Sequence, residues 1–232
     1  MITHRLEQRT DEWFQLRVGK LTASQAGKAL ATTKSGWSVS RLDLCMQLAC
    51  ERITGVSCEI PFNPSLPMQV GLAGEDASVR YYEAFNGAVV DRSVGFLASD
   101  DGNYGCSPDG LVTYPTADGH ALGVLEVKNP TTKNHVSYML AGILPPKYLT
   151  QVTHAMFVAG PEYKFCDFLS HDSRLPVGLR GFIVREWRDE AKIAAHADAV
   201  APFMSEVEDK VRELRSLQQW MTDCGLTQEN TP

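Results

Sequence analysis

The chain has 232 residues, 44% of them hydrophobic and 22% charged, proportions that exclude a disordered, fibrous or low-complexity protein. Its 22 Lys and Arg against 28 Asp and Glu leave a formal charge of −6. That argues against a protein that coats nucleic acid with its whole surface, but not against an enzyme with a local basic channel. No apolar run approaches the roughly 20 residues of a membrane span. The start, Met1-Ile2-Thr3-His4-Arg5-Leu6, has no apolar signal core, so a cytoplasmic protein with no membrane partner is expected.

In chain order, Thr10 caps a short amphipathic helix through Trp13, Leu16 and Arg17, and Ser24 is placed as the N-cap of a second helix. Leu42, Cys45, Met46 and Leu48 recur at helical spacing over 40–54. Three prolines make 58–67 a loop, and a helix follows over 68–85. The period then changes. Val89, Val90, Val94, Phe96 and Leu97 read as one strand over 88–98, Asp100-Asp101-Gly102-Asn103 as a turn, and 111–114 as a second strand. A loop over 115–123 and a third strand over 124–128 come next. Pro145-Pro146 opens a helix to about 158, strands follow at 163–169 and 181–187, and a helical pattern over 189–220 is expected to kink or divide at Pro202. The expected architecture is α/β, a mixed central sheet flanked by helices, in one domain over 1–232. Its parts are mainly helical 1–87, a sheet core 88–187 and C-terminal helices 188–232. Cys45, Cys50, Cys58, Cys106, Cys166 and Cys224 show no C-x-x-C spacing. They read as reduced, buried small hydrophobes rather than as a zinc site.

The chemistry concentrates in two stretches, Ser107-Pro108-Asp109-Gly110-Leu111 and Val124-Leu125-Glu126-Val127-Lys128. The Pro-Asp-Gly turn presents Asp109 at the start of a strand. In the later strand Glu126 and Lys128 share one face, while Leu125 and Val127 point the other way, into a core. Two carboxylates and an ammonium at one strand end suit a hard divalent cation that keeps sites open for water and phosphate. The E-x-K spacing alone decides nothing, because it occurs four times, at Glu126, Glu162, Glu190 and Glu208. Only Glu126-Val127-Lys128 follows an acidic turn. A surface ion pair on an exposed hairpin is the competing reading. Glu75 on a glycine-bearing helix and the pair Tyr148 and Gln151, one helical turn apart, are further candidates. Arg17 and Lys20 near a helix start suit an anion, and Lys34-Ser35-Gly36-Trp37 reads as a basic loop.

Five short segments run in one order: Trp13-Phe14-Gln15-Leu16-Arg17-Val18-Gly19 with Thr22-Ala23-Ser24, 71–77 around Glu75, Cys106 to Leu111, Leu125 to Lys128, and Tyr148 to Met156. In this the chain resembles the lambda exonuclease family, the YqaJ-like viral recombinases of the PD-(D/E)xK nuclease superfamily. The resemblance implies a restriction-endonuclease-like core with helical additions. It also implies a processive, Mg²⁺-dependent 5′→3′ exonuclease that degrades the 5′-ended strand of linear duplex DNA to mononucleotides. The resemblance further implies two Mg²⁺ per site with Mn²⁺ as a substitute, a ring-shaped homotrimer, a single-strand annealing partner and a phage or prophage protein in the bacterial cytoplasm. By the same resemblance Asp109, Glu126 and the Val127 carbonyl hold metal, and Lys128 positions or deprotonates the attacking water. Glu75 sits beside that water or the second metal, and Gln151 with Tyr148 steadies the lysine or the scissile region. Arg17, Ser24 and Ser107 grip a 5′ phosphate, Lys34 touches DNA, and Met68 splits the terminal base pair. His154 departs from the tyrosine often found there. The C-terminal helices and the 58–67 loop are candidates for contacts between copies. An endonuclease of the same superfamily and a non-catalytic DNA-end adaptor are the rival readings; cutting of closed circles, or binding without hydrolysis, would favour one or the other.

Overall fold

The structure, a computed structural model, describes residues 1–58 and 66–226; of the helix that starts at Leu66, side chains are described from Gly74 onward. Most of the 58–67 loop therefore lies outside the described residues, as does the side chain of Met68. Two sheets carry the fold. One runs β1 (Ile2–Arg5), β6 (Val94–Ala98), β7 (Tyr104–Cys106), β2 (Leu21–Thr22), with only the last pairing parallel. The other runs β11 (Gly181–Trp187), β10 (Tyr163–His171), β9 (Gly119–Lys128), β8 (Gly110–Thr116), β5 (Val89–Asp91), with β9 and β10 parallel and the rest antiparallel. A small ribbon joins β3 (Thr32–Thr33) to β4 (Gly36–Trp37).

The helices are α1 (Asp11–Arg17), α2 (Ala23–Ala29), α3 (Val39–Thr54), α4 (Leu66–Asn86), α5 (Thr132–Ala141), α6 (Pro146–Ala159) and α7 (Glu190–Asp223). Alternation along the five-stranded sheet sorts its side chains between two helices. Val124, Cys166 and Phe168 pack with Val152, Ala155, Met156 and Ala159 of α6. Leu125, Val127, Phe165 and Leu169 pack with Val79 and Tyr82 of α4. Each face is thus closed by a helix, and the polar exceptions on them stand out.

Several expectations change. The first 40 residues are not only helical: β1 to β4 lie there. Thr22, not Ser24, caps α2, with the Gln25 side chain folded back on the Thr22 N–H at 3.4 Å. The single strand expected over 88–98 breaks because Asp91 Oδ1 accepts from the Ser93 N–H at 2.9 Å, a local turn that competes with extension; β5 and β6 then enter different sheets. The loop expected over 115–123 is instead a continuation of the β8–β9 ladder to Thr116↔Gly119, with Gly119 at φ +131. Pro115 is tolerated because β5 pairs only with Leu111, Val112 and Thr113. Pro202 stands inside α7 without dividing it. The buried stripe Ile193, Val200, Phe203, Met204, Val207 and Val211 runs across the proline and packs both halves. Helix α5, not expected, buries only His135, too little to leave an apolar period. Cys45, Cys106 and Cys166 are buried and free, but Cys58 and Cys224 are exposed, unlike the buried reading. Among the described residues no helix is long and apolar enough to cross a membrane.

Candidate active site

The β8–β9 hairpin builds the centre. Asp109 directly precedes β8, and its N–H donates to the Leu125 carbonyl at 3.1 Å, which sets it beside Glu126. Asp109 Oδ2 accepts from the Val127 N–H at 2.6 Å. Strand geometry turns the Val127 carbonyl to that same edge, where β8 has ended. Glu126, 4% exposed, and Lys128 do share a face, and their charged ends are in contact. That face belongs to α6, which supplies Gln151, whose Nε2 donates to Glu126 Oε1 at 2.6 Å. It also supplies Tyr148, whose ring centroid lies 5.5 Å from Lys128 Nζ. Pro146 at the first turn starts this helix in register for both.

Burial, then the negative charge of Glu126, pushes the Asp109 carboxyl up to about 7. Burial works against the Lys128 ammonium, but Glu126 and Asp109 outweigh it and hold its pKa above the ordinary value. The pair of carboxylates is therefore short of positive charge even with Lys128 present. The donor set fits a hard divalent cation: Asp109, Glu126 and the Val127 carbonyl, all oxygen, at one strand end. Among the described residues no three His, Cys, Asp or Glu side chains converge. A metal here would complete its shell with water and phosphate oxygens, as Mg²⁺ commonly does.

A cleft of about 200 Å³ opens beside Asp109, walled by Gln8, Arg9, Glu75, Arg92 and Pro108. Glu75 meets Arg9 Nη2 at 3.0 Å, and its charge is felt at Asp109. A Cβ at Gly74 would lie an ordinary 3.5 Å from the Asn129 side chain, so no close backbone approach depends on this glycine, and Ser78 Oγ, one turn on, lies 2.8 Å from Asn129 Oδ1. The Ser78 contact ties α4 to the residue after Lys128. Arg9 has φ +70, a conformation that costs a non-glycine residue about 1 kcal/mol or more.

The candidate phosphate pocket adjoins the centre through Pro108. Ser107 Oγ accepts from Trp13 Nε1 at 3.0 Å and lies 3.4 Å from Arg17 Nη1. The Arg17 guanidinium stacks on the Trp13 ring at 4.2 Å. Ser24 is exposed at the start of α2, 3.4 Å from Thr22 Oγ1, on the strand paired with Gly105. Lys20 is half-buried, and burial followed by nearby Arg52 lowers its pKa. Lys34 is exposed at the tip of the β3–β4 ribbon. His154 is fully buried, with Nδ1 3.0 Å from His196 Nε2. Two further residues shape the site without a sequence signal: Gln8, whose Nε2 donates to the Pro108 carbonyl at 2.8 Å, and Arg9. No local period marks either; each acts on residues some seventy to a hundred positions away.

A family model of the YqaJ-like viral recombinase domain matches residues 12–162. No curated protein matches the chain. The chain is similar to the alkaline exonuclease LHK-Exo from Laribacter hongkongensis, at 32% identity and a TM-score of 0.77 over 91% of this chain and 100% of that one. It is similar to LHK-Exo in complex with dAMP at 33% identity and a TM-score of 0.78, with the same coverage. A phage-related exonuclease from Haemophilus somnus 129PT shares the fold, with a TM-score of 0.58 and 14% identity over 86% of this chain and 96% of that one. The chain belongs to the YqaJ-like viral recombinase family.

Proposed function

We propose that the protein is a Mg²⁺-dependent exonuclease that hydrolyses the 5′-ended strand of linear duplex DNA in the 5′→3′ direction, processively and to mononucleotides. One observation carries the reading. Asp109, Glu126, Lys128 and Gln151 converge at one strand end, and the same Ser107-Pro108-Asp109 turn carries a serine that faces Arg17. An anion held by Arg17 and Ser107 would be the end of the strand that enters the cleft. The family and the likeness to two LHK-Exo structures support the same reading.

Asp109, Glu126 and the Val127 carbonyl would hold Mg²⁺, two ions per site with phosphate and water as further ligands, and Mn²⁺ in substitution. Bound there, the ion supplies Lewis-acid charge at the scissile phosphate and lowers the pKa of water. Lys128 orients the attacking water with its ammonium or takes its proton. Gln151 fixes the carboxylate of Glu126, and the Tyr148 ring walls the lysine. Glu75, which lines the cleft beside Asp109, sits beside that water or the second metal. Arg17, Ser107 and Ser24 hold the terminal 5′ phosphate, Lys34 reaches the backbone of the duplex, and Met68 divides the last base pair. A ring-shaped trimer, a single-strand annealing partner and a bacterial cytoplasmic setting complete the proposal. For the ring, an exposed apolar groove between α3 and α7, with Ile53, Leu214, Leu217 and Met221 in its walls, is the surface to mutate first.

The test is a gel assay on one duplex, linear or covalently closed, with 5′ phosphate or 5′ hydroxyl, in Mg²⁺ or EDTA. Loss of the 5′-ended strand alone, from linear DNA and only with Mg²⁺, supports the proposal. Nicking of the closed circle replaces it with an endonuclease, and binding without hydrolysis replaces it with an adaptor.

A further inference from the structure

Among the described residues, Arg9 is the one non-glycine with a left-handed backbone, at φ +70. Glycine would take this conformation without strain. The strain comes from anchors on both sides. Gln8 Nε2 donates to the Pro108 carbonyl at 2.8 Å. Thr10 Oγ1 donates to the Glu7 carbonyl at 2.9 Å and caps α1 by accepting from the Trp13 N–H. Between them Arg9 is turned into the cleft, where it meets Glu75 Oε1 at 3.0 Å. Its side chain is 45% exposed and that of Glu75 25%, so the pair is too well solvated to be what keeps a strained arginine in place.

The cleft offers another reason. The cleft beside Asp109 is also lined by Glu7 and Glu75, and its other arginine, Arg92, is already paired with Asp76. The planar fork of a guanidinium matches two phosphate oxygens, a better match in charge and shape than one solvated carboxylate. We propose that Arg9 is a clamp for a phosphodiester of the strand being cut. It exchanges Glu75 for the non-bridging oxygens and so releases the Glu75 carboxylate towards the reacting water. This inference rests on the nuclease reading above.

The test compares the full chain with Arg9→Gly and Arg9→Lys on a 5′-phosphorylated linear duplex with Mg²⁺. Arg9→Gly removes the strain, so its Tm stays at or above that of the parent. Its rate at saturating DNA falls about tenfold or more, the scale of a lost charge-assisted contact. Added guanidinium ion restores part of the rate, and Arg9→Lys lies between. A neutral methylphosphonate at the clamped position slows the parent but not Arg9→Gly further. A parental rate for Arg9→Gly, or a loss that guanidinium does not rescue, overturns the clamp. Lys128→Ala, run beside it, separates the two ideas: if it is inactive while Arg9→Gly is normal, only the clamp fails. If both cleave normally, the placement of the active site at Lys128 fails with it, and if the parent itself does not cleave, it is the nuclease assignment that fails.

Discussion

Asp109→Asn is expected to stabilise the metal-free protein while abolishing cleavage. Asp109 ionises with a pKa near 7 in the fold, raised by burial and by Glu126, against about 4 in an unfolded chain. Between those values the folded state holds a proton that the unfolded state has released. The stability from this group is therefore whole below about pH 4 and is lost as pH rises to about 7. Three units correspond to at most about 4 kcal/mol, and nearer half of that because Asp109 keeps part of its surface in water. Asparagine removes the charge and still accepts from the Val127 N–H. In EDTA at about pH 8 the variant should therefore melt about 5 °C above the parent, by the usual scaling for a chain of this size. The gap should shrink as pH falls through 7 and close near 4. Mg²⁺ should raise the Tm of the parent and not that of the variant. Calorimetry in EDTA and in Mg²⁺ reads all of this. A variant less stable than the parent at about pH 8 in EDTA would refute the claim that two close carboxylates lack positive charge here.

Other substitutions probe the neighbouring parts. Lys128→Ala should lower the cleavage rate by a factor of 10² or more, the usual scale for losing an acid–base group, and leave binding to a DNA end near the parental value by fluorescence anisotropy; near-parental cleavage would remove Lys128 from the chemistry. Arg17→Ala should slow digestion of 5′-phosphorylated ends and flatten the preference for them over 5′-hydroxyl ends, as read by initial rates on the two substrates. His154 is pushed down to about 3 by burial and then by His196, so the unfolded chain binds its proton first and stability must fall as pH drops from about 6.5 towards 3, by up to about 1.4 kcal/mol per pH unit. His154→Phe should flatten that slope in urea melts at stepped pH, and an unchanged slope would assign the acid sensitivity elsewhere.

How much was legible follows from how local each signal is. The convergence of Asp109, Glu126 and Lys128 on one strand end could be read because side-chain alternation is a property of the strand itself. The turn before Gly110 supplies the rest. Gln151 and Tyr148 were legible as a pair because three residues make nearly one helical turn. That their helix covers the Glu126 face could not be read, since it depends on β9 pairing parallel to β10, some forty residues on. The same limit hid the split between β5 and β6. A five-residue apolar run such as Val94–Ala98, buried throughout, looks like the continuation of Val89–Asp91, and only the Asp91–Ser93 turn separates them.

Arg9 marks the far end of this scale. Its neighbours in sequence read as an ordinary helix entry, with Thr10 as cap, and nothing local asks for a left-handed arginine. The conformation is set by Gln8 reaching Pro108 and by Thr10 closing on Glu7 as it caps α1, and the first of these contacts spans a hundred positions and exists only once the sheets have assembled. The residues that bear the chemistry sit on regular elements, whose periods expose them in the sequence. The residues that shape the approach to those elements sit in the connections, where strain rather than pattern is the sign of what they do. Searching this family's N-terminal connections for a left-handed non-glycine that faces the cleft is therefore a physical criterion that motif matching alone does not supply.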